Sequence, residues 1–148
     1  AIEEIRSAGA HTRLILDGDV AAGINAARSD SRIDMSYGVG GSPEGVATTC
    51  AIKALDGFIQ GRLMPKTEEE RANGIAAGLK FEHIYSADEL VSSDNTFFVA
   101  TGVTDGDLIR GVRREGAWLR TESIIFRSRS GTVRRVSSDY LASRWITE

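Results

Sequence analysis

Ser36-Tyr37-Gly38-Val39-Gly40-Gly41-Ser42-Pro43-Glu44-Gly45 packs four glycines and one proline between an alternating segment and a long apolar run. Ser42 is suited to cap a helix, Pro43 to occupy its first position, and Glu44 to place a carboxylate in its first turn. A helix therefore begins here. The glycines ahead of it allow positive φ and close approach of backbone to a ligand, while the free amides and the positive end of the helix dipole favour a phosphate. Glu44 cuts against a bare phosphate, because its carboxylate repels one unless a divalent cation with hard oxygen ligands lies between them. The same spacing equally serves a helix start with no ligand, in which the glycines permit tight packing and Glu44 simply pairs with the dipole.

Downstream of this turn, Val46, Cys50, Ala54 and Phe58, with Ile52, Leu55 and Ile59, recur at helical spacing. They predict a broad apolar face and a central helix that runs until Gly61 and Pro65 stop it. Upstream, residues 33–37 alternate well enough for a strand. Before them Thr12-Arg13-Leu14-Ile15-Leu16 predicts another, which turns through Asp17-Gly18-Asp19 into a helix over 20–28. Strand, acidic turn, helix is the layout of an α/β ligand site, where side chains at the carboxyl end of a strand face a crevice. Asp19 is explained by helix capping alone; Asp17 is not. Two strand-to-helix turns, one carrying two carboxylates and the other glycines and Glu44, are thus expected side by side.

The chain has 148 residues, 41% hydrophobic and 26% charged, which is ordinary for a globular protein with one core. No run of about 18 apolar residues predicts a membrane span, and no signal-peptide pattern opens the chain. The single Cys50 excludes an internal disulfide or a paired-cysteine metal motif. A cytoplasmic location is the expectation. The net charge of −3 conceals eight arginines between positions 110 and 135 against Glu115 and Glu122. Without an aromatic platform this reads as a solvated face rather than a nucleic-acid surface.

The chain opens, without Met, inside an amphipathic helical pattern that Gly9 ends, which reads as a piece starting mid-fold. Thr67 with Glu70, and Ser86 with Glu89, are capping-box spacings, predicting two helices around a short segment at 81–85. His83 and His11 stand without a partner at ligand spacing and read as structural. From Asn95 the period changes to two: residues 97–103, 108–112, 117–127 and 132–136 predict an antiparallel meander, joined by Asp105-Gly106-Asp107, Glu115-Gly116 and Ser130-Gly131. Residues 138–145 predict a short terminal helix anchored by Trp145. The motifs for P-loop hydrolysis, zinc proteolysis and the serine-hydrolase elbow do not occur, which leaves carboxylate and metal chemistry.

With Ala54-Leu55-Asp56-Gly57, Phe98-Val99-Ala100-Thr101-Gly102-Val103-Thr104-Asp105-Gly106 and Arg127-Ser128-Arg129-Ser130-Gly131-Thr132-Val133-Arg134, the two turns make nearly the whole chain resemble the class II fructose-1,6-bisphosphatases of the GlpX type. The resemblance implies an α/β layered sandwich like that of inositol monophosphatase, this chain contributing a back half with a mixed or antiparallel sheet and flanking helices. It implies hydrolysis of the 1-phosphate of fructose 1,6-bisphosphate, with sedoheptulose-1,7-bisphosphatase or dual specificity as the alternative. Substrate contacts are implied for Asp17, Gly18, Asp19 and Gly41, and a ligand role for Mg2+ or Mn2+ at Glu44. The family's other metal carboxylates and its water-activating threonine belong to a front half, so residues 1–148 are expected to be a C-terminal domain without catalytic residues of its own. The expected partners are a sugar bisphosphate, that front half and further copies of the chain, with neither nucleic acid nor membrane. A non-catalytic sugar-phosphate-binding or assembly module is the rival from another class.

Overall fold

The computed structural model describes residues 1–144. In order they form α1 (Ile2–Ser7), α2 (Asp19–Ala27), α3 (Ser42–Ala54), β1 (Gln60–Gly61), α4 (Glu68–Ala76), β2 (Tyr85–Ser86), α5 (Ala87–Leu90), β3 (Phe97–Thr101), β4 (Arg113–Glu115), β5 (Trp118–Arg127) and β6 (Thr132–Leu141), with 3₁₀ turns at Ser128–Ser130 and Ala142–Arg144. The fold is mixed α/β with antiparallel sheets.

β5 is the middle of the main sheet. β6 pairs with its whole length, from Arg127↔Thr132 to Trp118↔Leu141, while the opposite edge is shared end to end by β3 and β4. A simple meander is therefore not what forms, and residues 108–112 are not a strand. The chain leaves the edge after β3 and returns to the same edge at β4, making one interrupted strand with a compact excursion between. Gly102 and Gly111 form its neck, where an added Cβ would overlap the carbonyl of Arg110 or the backbone of Thr104. Asp105 Oδ1 accepts from the Gly111 amide (2.9 Å), and Leu108 plugs into the core at 8% exposure. Residues 138–141 continue β6, because Ser138 and Tyr140 are in register with Thr121 and Leu119; the predicted terminal helix is replaced by strand, and Trp145 lies outside the described residues. The two hairpin turns at Gly116 and Gly131 are as expected, both glycines taking positive φ.

The inner face of the sheet presents Phe98, Ile124 and Phe126 to Ala51 and Ala54 of α3 and Ile24 of α2, and this is the core. Phe98 and Phe126 meet edge to face, with centroids 5.8 Å apart. α3 is central, as its pattern predicts, yet it starts and stops elsewhere. Its cap is the extended Gly41 with no side-chain cap bond, Ser42 being already helical. It ends at Ala54, where Asp56 takes φ 54° and the Gly57 amide donates back to Ile52 O (3.0 Å) in a Schellman closure. The signal was masked because the left-handed residue is Asp rather than Gly. The hydroxyls of the buried Thr48 and Thr49 are satisfied within the helix, donating to the carbonyls of Glu44 and Gly45.

α2 and α3 run parallel, side by side. Three close approaches establish it: Asp19 at the start of α2 lies against Gly40, Gly23 in its middle against Thr48 Cγ2, and Ala27 at its end against Gly57. The segments leading into these helices do not form the predicted strands. Residues 12–16 and 33–37 carry no regular secondary structure and enter no backbone pairing among the described residues. α3 is well covered, and the exposed apolar side chains include Leu14, Leu16, Met35, Tyr37 and Val39, with Phe97, Val99 and Val136 on the outer face of the sheet. α1 buries none of its residues, although its pattern is amphipathic, and it closes at Gly9 with positive φ.

Both capping spacings form. Thr67 accepts from the Glu70 amide (3.1 Å), but Glu70 reaches the amide of Lys66 rather than closing the box on Thr67. Ser86 and Glu89 make the full box, and Glu89 also accepts from His83 Nε2 at 2.7 Å, so His83 is structural, as read. The Ser86 amide first, then His83 and the Ser86 hydroxyl, hold the Glu89 carboxyl down to about 2 from 4.5. A carboxyl whose pKa is lower in the folded than the unfolded chain stabilises above the unfolded value and loses that contribution as pH falls through the folded one. Thermal melts are expected to show wild type losing stability between pH 4.5 and about 2 relative to Glu89→Gln, whose difference from wild type should vanish at the acid end. The effect is small because both side chains are largely solvated.

Candidate functional site

Parallel packing of α2 and α3 brings two helix N-termini to one place, so their unpaired amides and dipoles converge. Gly18, at φ 86°, caps α2, and Asp19 is its first residue rather than its cap. Asp17 Oδ1 accepts from the Gly18 amide (2.7 Å) and Asp19 Oδ1 from Val20 (3.0 Å), which fixes the turn and leaves a second oxygen on each carboxylate. The second oxygen of Asp19 lies against Gly40, and Glu44 Oε2 lies against Gly41; a Cβ on either glycine would overlap a carboxylate. The Gly40-Gly41 dipeptide thus fits between Asp19 and Glu44. The expected juxtaposition of the two turns is what the chain forms, and Asp17, Gly18, Asp19, Gly41 and Glu44 all lie at this end of the helix pair, exposed to solvent.

Gly40 is the residue that reading the sequence missed. The doubled glycine was the available signal: one Gly serves the helix start, and the other is needed only where a second element approaches. The site can present amides to an anion and carboxylates to hydroxyls or a hard cation. For a metal the residues match in kind and fall short in number, since among the described residues no group of three or more His, Cys, Asp or Glu could hold an ion.

Two concavities lie elsewhere on the described residues. One of about 290 Å³ is lined by Glu115, Trp118, Arg120 and Asp139, the other of about 300 Å³ by Thr101, Val112 and Tyr140 among others on the outer face of the sheet. In the first, Arg120 grips Asp139 through Nε (2.7 Å) and Nη2 (3.2 Å) and also meets Glu115. The guanidinium holds the Asp139 carboxyl below the usual carboxylate range, and Asp139 raises Arg120 in return. Asp30 is likewise lowered by its bond to Arg28. These are ion pairs of the scaffold. Five of the eight arginines of the rich stretch, Arg120 included, are held by the scaffold: Arg113 pairs with Glu122, Arg114 donates to Gly116 O, Arg127 bonds Asn95 and covers Phe97, and Arg135 donates to Leu108 O. No helix among the described residues is long and apolar enough to cross a membrane.

Comparison with known proteins bears on the same turns. A family model described as bacterial fructose-1,6-bisphosphatase, glpX-encoded, matches residues 1–140. A class 2 fructose-1,6-bisphosphatase of Haemophilus influenzae is 41% identical over 93% of this chain and 45% of its own length. Fructose-1,6-bisphosphatase 1 class 2 of Escherichia coli K12 is 37% identical over 97% of this chain and 46% of its own. The chain spans about half the length of these curated relatives. With both turns, the glycine pair between them and the sheet that carries them inside the matched stretch, the chain belongs to the glpX-encoded family of bacterial fructose-1,6-bisphosphatases.

Proposed function

We propose that this chain forms the C-terminal half of a metal-dependent sugar bisphosphatase, a layered α/β sandwich of the inositol monophosphatase type, that removes the 1-phosphate of fructose 1,6-bisphosphate. The observation that carries the reading is the Gly40-Gly41 dipeptide held between Asp19 and Glu44 at two parallel helix N-termini. Amides at these ends bind the phosphate oxygens, since each is an unpaired donor at the positive end of a dipole. Asp17 and Asp19, fixed by one oxygen each, offer the other to sugar hydroxyls, while Gly18 and Gly41 let the backbone come close. Glu44 supplies one oxygen ligand to Mg2+ or Mn2+, the other ligands coming from the rest of the enzyme. When bound, such ions neutralise phosphoryl charge and supply hydroxide-like water at neutral pH.

The shortage of carboxylates has a direct consequence. Residues 1–148 alone are expected to release no phosphate from fructose 1,6-bisphosphate with either metal, because a reacting unit missing several members loses orders of magnitude in rate. Joined to the portion of the Haemophilus influenzae relative outside the aligned stretch, the chain is expected to become active, with fructose 1,6-bisphosphate hydrolysed faster than sedoheptulose 1,7-bisphosphate. Activity of the verified 16.0 kDa chain alone overturns the reading. Calorimetry separates the module alternative: micromolar binding of fructose 1,6-bisphosphate to the chain alone, without divalent metal, favours a binding module over half an enzyme.

A further inference from the structure

Residues 12–16 and 33–39 have the composition of strands, yet the structure leaves them without a sheet. Leu14 is 67% exposed and Leu16 fully so; Met35, Tyr37 and Val39 are 63%, 75% and 76% exposed. Among the described residues, no backbone N–H or C=O in either segment enters a backbone hydrogen bond. Leu14-Ile15-Leu16 is a continuous apolar run, the pattern of a strand covered on both faces, as in parallel sheets flanked by helices. Met35, Tyr37 and Val39 alternate with Asp34, Ser36 and Gly38, the pattern of a strand with one apolar face.

Geometry relates the two. Each segment passes through a short turn into a helix, and those helices lie parallel with their starts together. The segments therefore approach from the same side and in the same sense. Packed helix axes lie about 8–10 Å apart, whereas neighbouring strands in a sheet lie about 4.8 Å apart. Strands held at the spacing of their helices stand about two strand spacings apart, a width that one further strand fills.

Resting on the reading of the chain as half of a longer enzyme, we propose that a single extended strand, from the half of the family's length that this chain does not cover, inserts between residues 12–16 and 33–39 and hydrogen-bonds to both. A second copy of this chain is a poor occupant. Its own free segments are tied by short turns to α2 and α3, and inserting either would unpack the core around Ile24 and Ala51. The relatives' length supplies the occupant, since the matched stretch is 45% and 46% of it. One end of the inserted strand arrives beside the turns at Asp17-Gly18 and Gly38-Val39, so the same pairing that buries Leu14 and Tyr37 brings new side chains next to the site.

Hydrogen exchange read by mass spectrometry tests this on the chain alone and after co-refolding with the portion of the Haemophilus influenzae relative outside the aligned stretch. Peptides covering 12–16 and 33–39 are expected to exchange freely in the chain alone and to slow together by roughly 100-fold or more in the complex. Ile15→Pro removes an amide that bonds nothing here, so it should leave the chain's own melting unchanged while weakening association by roughly tenfold or more; Ile15→Val should do neither. The inference is overturned by failure to associate, by a complex in which either segment stays unprotected, by protection confined to the outer sheet face around Val99 and Val136, or by full association of the proline variant. Phosphate release is no part of the readout. An active complex with free segments sinks the strand and spares the activity, whereas protected segments without turnover do the reverse.

Discussion

Phe126→Ala is expected to cost about 3–5 kcal/mol and to leave the chain largely unfolded at 37 °C. Phe126 is completely buried, stacks edge to face on Phe98 and stands with Ile124 where β5 meets α2 and α3. Only a handful of side chains among the described residues join that core, so truncation removes a large part of what holds helices to sheet. Against a total stability of about 5–15 kcal/mol for a typical domain, such a loss is decisive. Urea titration followed by circular dichroism checks it. A midpoint within error of wild type would mean that the sheet and helix pair hold together by other contacts.

Glu44→Ala is expected to lower phosphate release by roughly 100-fold or more at limiting metal in the enzyme joined from this chain and the remainder of its relative, with metal affinity falling in parallel. Glu44→Gln keeps the side chain that fills the space against Gly41 while removing its charge, so it separates loss of a ligand from loss of packing. Both variants should melt like wild type, since Glu44 is exposed and enters no ion pair among the described residues. Rate is followed against Mn2+ concentration and affinity by calorimetry. Unchanged turnover at limiting metal for Glu44→Gln would remove Glu44 from the site.

What could be read from residues alone follows from how local each feature is. The start of α3 to within one residue, the Thr67 cap, the box at Ser86 and the turns at Gly116 and Gly131 depend on neighbours a few positions away, and each was legible. The strands before α2 and α3 were not, because an extended segment becomes a strand only through a partner, and no described residue supplies one. The end of α3 was overrun because Asp56 adopts a conformation usually given to Gly. Residues 108–112 looked like a strand because Leu108 is apolar for another reason, as the plug that fastens an excursion to the core. At the candidate site, Asp17, Asp19, Gly41 and Glu44 were named from the sequence, whereas Gly40 needed the third dimension, since nothing local requires it.

Gly23 lies one helical turn beyond Asp19, about 6 Å along α2, and touches neither site turn. A Cβ there would stand 2.7 Å from Thr48 Cγ2, short of ordinary contact by roughly 0.7 Å. Helices are stiff rods, so a spacer inserted at their midpoint reappears at their tips. The absent methyl group therefore works as a gauge block: from a distance it sets how closely Asp19 meets the Gly40 backbone. A glycine at this position weakens α2 as a helix by about 1 kcal/mol relative to alanine, and what the fold obtains in exchange is calibration.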